Sequence, residues 1–160
     1  MWMIKIVGIG EYAISNSEND IIKTYALGSC VGLAVYNPIA KILGMVHIAL
    51  PNSNIDRDNK YISLPGYFAD TAVPIIFNKV LGGYSSNINT CKVSLYGGAY
   101  SINSKDVFNI GMKNVEKIKE ILTSNNVSFD NSNTGGYNSR TIEVDVSTGN
   151  VIISTRPMKI

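Results

Sequence analysis

The sequence predicts an α+β domain, and three observations carry that expectation. Short runs of β-branched and apolar residues, broken by Gly and by Asn-Pro, fill the first half of the chain. Two stretches carry apolar residues at helical spacing. Those helices do not alternate regularly with the strands, which argues against a doubly wound sheet. At 160 residues the chain is expected to form one domain over 1–160 and to bury roughly two-thirds of its unfolded surface.

Strands are expected at "IKIVGIG", "IIKTYAL", "CVGLAVYN" and "KILGMVHIAL". The polar segment "PNSNIDRDNKYIS" follows neither period and reads as an exposed loop. "GYFADTAVPIIFNKVLGG" has helical spacing and ends on two glycines suited to a C-terminal cap. Pro74 should kink or divide that helix. "TCKVSLYGG" is a further strand, where Cys91 reads as a small core hydrophobe. In "FNIGMKNVEKIKEILTSNN", Met112, Val115, Ile118 and Leu122 make one apolar stripe opposite Lys and Glu. The segment "YNSRTIEVDVSTGNVIIST" reads as a hairpin, with Arg140, Ile142, Val144 and Val146 alternating against Thr141, Glu143 and Asp145.

Composition narrows the function classes. Apolar residues make up 45% and charged residues 16%, as in an ordinary soluble globular protein. A formal charge of +2 without a basic run gives no reason to expect nucleic acid. No segment approaches the roughly 18 continuous apolar residues of a membrane span. The start, "MWMIKIVGIGEYAI", reads as a strand and not as a signal peptide, so a reducing cytoplasm is the expected compartment. Two cysteines and one histidine are too few for a zinc cluster or a disulfide scaffold, so no metal is expected.

The candidate chemistry centres on "ALGSCVGLAV", where Cys30 follows a Gly-Ser turn. The single histidine, His47, lies on the next strand, beyond Asn37-Pro38. A tight turn pairing residue 37 with 40 sets Cys30 directly opposite His47 on one face of the sheet. An imidazole there can take the thiol proton and later deliver one to a leaving amine. Thr24, on the preceding strand, offers a hydroxyl that accepts from the ring N–H and fixes its tautomer. Backbone N–H groups at Gly28, Ser29 and Cys30 are candidates for holding an oxyanion. At this level the bland reading stays open: a buried cysteine and a hydrogen-bonded structural histidine.

The stretch "TYALGSCVGLAVYNPIAKILGMVHIALP" resembles the signature of the CheD family, the chemoreceptor glutamine deamidases of bacterial chemotaxis. The likeness continues through "KYISLPGYFADTAVPIIFNKVL", "LYGGA", "NIGMKNVEKIKEIL" and "TGGYNSRTIEVDVSTGNVII", covering almost the whole chain in order. The resemblance implies a strand-rich sandwich similar to toxin-type cysteine deamidases. It implies hydrolysis of selected glutamine side chains on methyl-accepting receptors, with Cys30 as nucleophile, His47 as base then acid, Thr24 orienting His47, and no cofactor. It also implies a partner, a CheC-type CheY-phosphate phosphatase, docking near "GGAYSINSKDVFNIG". Ile102 stands there where an aromatic residue is common, with Tyr100 and Phe108 nearby, and Tyr137 stands where Asn is common. Asp70 and Thr71 are candidates for lining a substrate groove, or simply for hydrogen bonds at a helix start. A regulator that binds the phosphatase without catalysis is the competing reading; a cysteine peptidase is a weaker third.

Overall fold

The computed structural model describes residues 2–82, 86–101 and 108–158. Among them lie nine strands in two sheets and two α-helices. The strands are β1 (Met3–Ile6), β2 (Tyr12–Ser15), β3 (Asp20–Leu27), β4 (Val31–Asn37), β5 (Ile42–Ile48), β6 (Lys92–Gly97), β7 (Asp130–Thr134), β8 (Asn138–Asp145) and β9 (Val151–Pro157). The helices are α1 (Ala69–Leu81) and α2 (Ile110–Ser124). A four-stranded sheet has the order β1-β3-β8-β9, and a five-stranded sheet the order β2-β5-β4-β6-β7. The outer pairs β1–β3 and β6–β7 are parallel; the other pairs are antiparallel.

Alternation along the central strands explains the layering. Val31, Leu33 and Val35 of β4, with Val46 and Ile48 of β5, pack against α1 and α2. Ala34 and Tyr36 of β4, with Leu43 and Met45 of β5, face the four-stranded sheet through Ile22, Ile142 and Val144. The five-stranded sheet is therefore covered on both faces, by helices outside and by the second sheet inside. This is why "VGLAV" and "MVHIAL" read as almost unbroken apolar runs. At Gly44 the missing side chain lets α1 approach: a Cβ there would lie 2.6 Å from Val80 Cγ2, 2.8 Å from Ile76 Cδ1 and 2.9 Å from Ile14 Cδ1.

Several expectations need correction. The first apolar run divides: after β1 the chain turns and β2 joins the other sheet, pairing with β5. β7, "DNSNT", carries no apolar period, and it pairs in parallel with β6 beside the helix layer. Pro74 does not divide α1, which runs unbroken to an αL cap at Gly82. Met112 is exposed, and the buried stripe of α2 is Gly111, Asn114, Val115, Ile118 and Leu122.

The β4–β5 register is the correction with most consequence. Asn37 pairs with Ile42, so Gly32, not Cys30, stands opposite His47. The connection is longer than a two-residue turn because Asn37 Oδ1 accepts from the N–H groups of Ile39 (3.1 Å) and Ala40 (3.2 Å), and Lys41 takes a positive φ. An offset of two residues keeps the same face.

Gly44→Ala is expected to lower stability by about 1–3 kcal/mol, because three packed side chains must move for one methyl group. Urea unfolding monitored by far-UV circular dichroism measures it; an unchanged midpoint would mean that helix and sheet are not in close contact there.

Candidate active site

Thr24 and His47 meet between the two sheets, and Cys30 packs against the same inner core. Thr24 belongs to β3 of one sheet and His47 to β5 of the other; Thr24 is fully buried and His47 is 3% exposed. Thr24 Oγ1 lies 2.7 Å from His47 Nδ1 and 2.7 Å from the carbonyl oxygen of Val7. A carbonyl only accepts, so the threonine proton is committed to Val7. The hydroxyl oxygen must then accept from Nδ1–H. That assigns the tautomer: Nδ1 carries the proton and Nε2 presents a bare lone pair. Nε2 is buried and has no partner among the described residues.

Cys30 lies just before β4 and packs against the core between the sheets, on the face that carries His47. It immediately precedes the first pair of the β4–β5 register, Val31 with Ile48. Gly32, directly opposite His47, keeps the space beneath clear. A Cβ at Gly32 would sit 3.1 Å from Leu27 Cδ1, 3.3 Å from Ile142 Cδ1 and 3.7 Å from Thr24 Cγ2. Neither cysteine forms a disulfide among the described residues, and Cys91 packs against the helix-side core.

Burial sets the charge state of the pair. It pushes the Cys30 thiol up to about 11 and the His47 imidazole down to about 4. At neutral pH the resting pair is therefore thiol and neutral imidazole. A neutral thiol and a neutral imidazole have the chemistry for general-base catalysis, in which the proton leaves sulfur as attack proceeds.

The loop before Cys30 is held by backbone contacts. Gly98 N donates to Cys30 O at 2.8 Å, and Ala99 N to Gly28 O at 2.8 Å. Gly97 has a positive φ of 103°, and a Cβ there would collide with the Cys30 carbonyl. Arg140 reaches across the sheets: its Nη1 donates to Gly97 O at 3.3 Å, and Gly135 N donates to the same oxygen at 2.9 Å. The Gly135–Gly136 turn and Arg140 thus support the backbone behind the Cys30 loop. Met158 lies over Gly28, with Cε 3.5 Å from where a Cβ would be.

The remaining candidates lie apart from this centre. Asp70 accepts from Ser53 N (3.0 Å) and from Ser53 Oγ (2.8 Å), fastening the long loop to α1. Thr71 Oγ1 donates to Phe68 O (3.1 Å) and to Pro65 O (3.2 Å). Thr71 also lines a groove of about 400 Å³ with Tyr61, Leu64, Phe68 and Ile75, whose walls include neither Cys30 nor His47. Tyr67 lies beside the groove residue Tyr61. It stacks on Tyr61 at 3.7 Å and is pushed up to about 12 by the Tyr61 hydroxyl, then by burial, with smaller contributions from charge on Tyr61, Cys30 and Asp56. Tyr100 and Phe108 are 42% and 64% exposed, and Tyr100 meets Tyr137 edge-on at 5.7 Å. Ile102 lies outside the described residues.

Sequence reasoning missed Gly32, Tyr67 and Asn114. Asn114 carried a legible signal, since an amide inside an apolar helical stripe must find hydrogen-bond partners. Gly32 and Tyr67 carried none, because their importance depends on register and loop path.

Because His47 is depressed from 6.5 to about 4 in the folded state, the unfolded chain binds its proton first as pH falls. Stability is therefore lost between pH 6.5 and pH 4, by about 2–3 kcal/mol at pH 4.5. His47→Gln should lack this part of the acid sensitivity in urea unfolding at pH 7 and 4.5. Equal losses in both proteins would show that the imidazole is not held neutral.

A family model described as CheD chemotactic sensory transduction matches residues 49–155. The chain is 41% identical over 150 residues to a probable chemoreceptor glutamine deamidase CheD of Syntrophotalea carbinolica, covering 93% of this chain and 92% of that protein. It is 36% identical over 150 residues to a probable chemoreceptor glutamine deamidase CheD 1 of Syntrophus aciditrophicus, covering 94% and 92%. It is 34% identical over 151 residues to a chemoreceptor glutamine deamidase CheD of Thermotoga maritima, covering 94% and 91%. The family model begins after His47, but these relatives leave too little of the chain unmatched to omit the segment from Thr24 to His47. With similarity along nearly its full length, the chain belongs to the CheD family.

Proposed function

We propose that this protein hydrolyses the side-chain amide of selected glutamines on methyl-accepting chemotaxis receptors, giving glutamate and ammonia. The names of its relatives support the substrate class. The observation that carries the chemistry is the Thr24 hydroxyl bonded to both Val7 O and His47 Nδ1, which leaves Nε2 as a free base.

The Cys30 sulfur attacks the carboxamide carbon while His47 Nε2 takes the thiol proton. The Cys30 and Ser29 N–H groups hold the resulting oxyanion, with Gly28 allowing the turn to approach. His47 then returns the proton to the nitrogen, the C–N bond breaks, and ammonia leaves a thioester. Water, deprotonated by His47, attacks the thioester; the C–S bond breaks, the thiol regains its proton and glutamate is released. Thr24 accepts from Nδ1–H throughout, which stabilises the transient imidazolium less than a carboxylate would. No metal or cofactor takes part. The receptor's target segment is read as lying across the Tyr67 side, with the groove beside Thr71 and Asp70 taking neighbouring side chains. The reaction is assigned to the cytoplasm; no helix among the described residues is long and apolar enough to cross a membrane.

A second role is compatible with the first. The exposed rings of Tyr100, Tyr137 and Phe108 offer a docking surface for a CheC-type phosphatase. Ala99, adjacent to Tyr100, holds Gly28 O, so a partner seated there would adjoin the loop that carries Cys30.

Incubation with receptor cytoplasmic fragments should convert particular glutamines to glutamates, read by peptide mass spectrometry, and Cys30→Ala should abolish this. Conversion that persists without Cys30 removes it from the mechanism. Thr24→Val is expected to slow turnover by about 10- to 100-fold, and Thr24→Ser to restore most of it. If valine performs as well as serine, the hydroxyl does not orient the base. His47→Ala should slow iodoacetamide labelling of Cys30 at pH 7; unchanged labelling would separate the ring from the thiol.

A further inference from the structure

Three consecutive carbonyl groups of the nucleophile loop are each held from outside it. Those of Gly28 and Cys30 accept from the backbone N–H groups of Ala99 and Gly98, both at 2.8 Å. The middle one, of Ser29, accepts instead from a side chain: Asn114 Nδ2 at 3.0 Å. The same nitrogen donates to Ala49 O at 3.0 Å, two residues beyond His47. One amide therefore joins the loop of the thiol to the strand end of the imidazole.

Asn114 is fully buried on the apolar stripe of α2, and its Oδ1 has no partner among the described residues. Burial penalises an unpaired acceptor, so a purely packing role favours an aliphatic side chain at this position. What only the amide supplies is the pair of bonds to Ser29 and Ala49. Gly111, one turn earlier, makes them reachable: a Cβ there would collide with Ala99 O, so α2 lies directly on the Gly98–Ala99 backbone.

The direction of these bonds matters. In a trans peptide the C=O and N–H point opposite ways. Holding the Ser29 carbonyl toward α2 turns the Cys30 N–H away from the helices, toward the layer between the sheets where His47 lies. No acceptor for the Cys30 N–H is present among the described residues. We propose that Asn114 is a positioning residue: by fixing the Ser29 carbonyl it aims the Cys30 N–H at the oxyanion formed on the substrate amide. This inference rests on the deamidase reading above.

Oxyanion positioning predicts a split that a loss of folding does not. Amide hydrolysis passes through a tetrahedral oxyanion, whereas alkylation of the thiol by iodoacetamide does not. Asn114→Ala should lower kcat for glutamine conversion on receptor cytoplasmic fragments by about 10- to 100-fold, with KM and the Cys30 alkylation rate each within about twofold of the parent. Asn114→Ser, which retains a shorter donor, should fall between the two and serves as the test if the alanine variant does not unfold cooperatively. An unchanged kcat overturns the inference, and so does a parallel fall of turnover and alkylation, which would assign Asn114 to holding the thiol. If the unsubstituted protein converts no glutamine, the deamidase reading fails and the inference with it; turnover by the parent with unaffected variants overturns the inference alone.

Discussion

A hydroxyl has one proton to give, and Thr24 gives it to the carbonyl of Val7. Everything the site can do follows from that commitment. With its proton spent, the oxygen can meet His47 only as an acceptor, so the ring must carry its hydrogen on Nδ1 and leave Nε2 bare. The same atom fastens three separate stretches: the chain after β1, the middle of β3 and the end of β5. A chemical choice of tautomer and a mechanical tie between two sheets are thus one interaction. Removing the hydroxyl would expose a buried ring N–H and a buried carbonyl together, which couples stability to reactivity at this point.

The layered packing makes such a buried base affordable. The five-stranded sheet is covered on both faces, so the inner face of β5 is dry where His47 emerges. Dryness lowers the basicity of the imidazole and raises the pKa of the thiol, holding both neutral at rest. This differs from a preformed thiolate–imidazolium pair, which needs a charge partner that Thr24 does not provide. In the proposed mechanism the charge appears only during attack, when the oxyanion and the imidazolium form together and stabilise each other at short range.

Around the thiol, precision comes from backbone and not from charge. Gly97 and Gly98 bring β6 against the Cys30 loop, Arg140 braces Gly97 from the opposite sheet, and Asn114 takes the one carbonyl that backbone donors leave over. Three successive loop carbonyls are thereby held, which leaves the loop little freedom to reorient. That rigidity suits chemistry whose largest demand is a fixed place for a developing negative charge. The groove beside Thr71 is built differently, from a long loop pinned by Asp70 and stacked aromatic rings.

Both helices, most strands and the shared face of Cys30 and His47 were legible from the sequence because apolar period and parity are local properties; that Thr24 reaches His47 from the opposite sheet was not. Parity survived even an error of two residues in the β4–β5 register, since an even shift keeps every side chain on its face. The register itself was not legible: it was decided by the Asn37 side chain and a positive φ at Lys41, which lengthen the connection. Nor were the division of the first strand between two sheets, the polar edge strand β7, or the carbonyls that Asn114 serves. What the amino-acid order determined was which groups have the chemistry and which way they face. The tertiary structure alone decided which protons are already committed and which carbonyls are held, because those depend on partners far apart in the chain: Val7 for Thr24, Ser29 and Ala49 for Asn114.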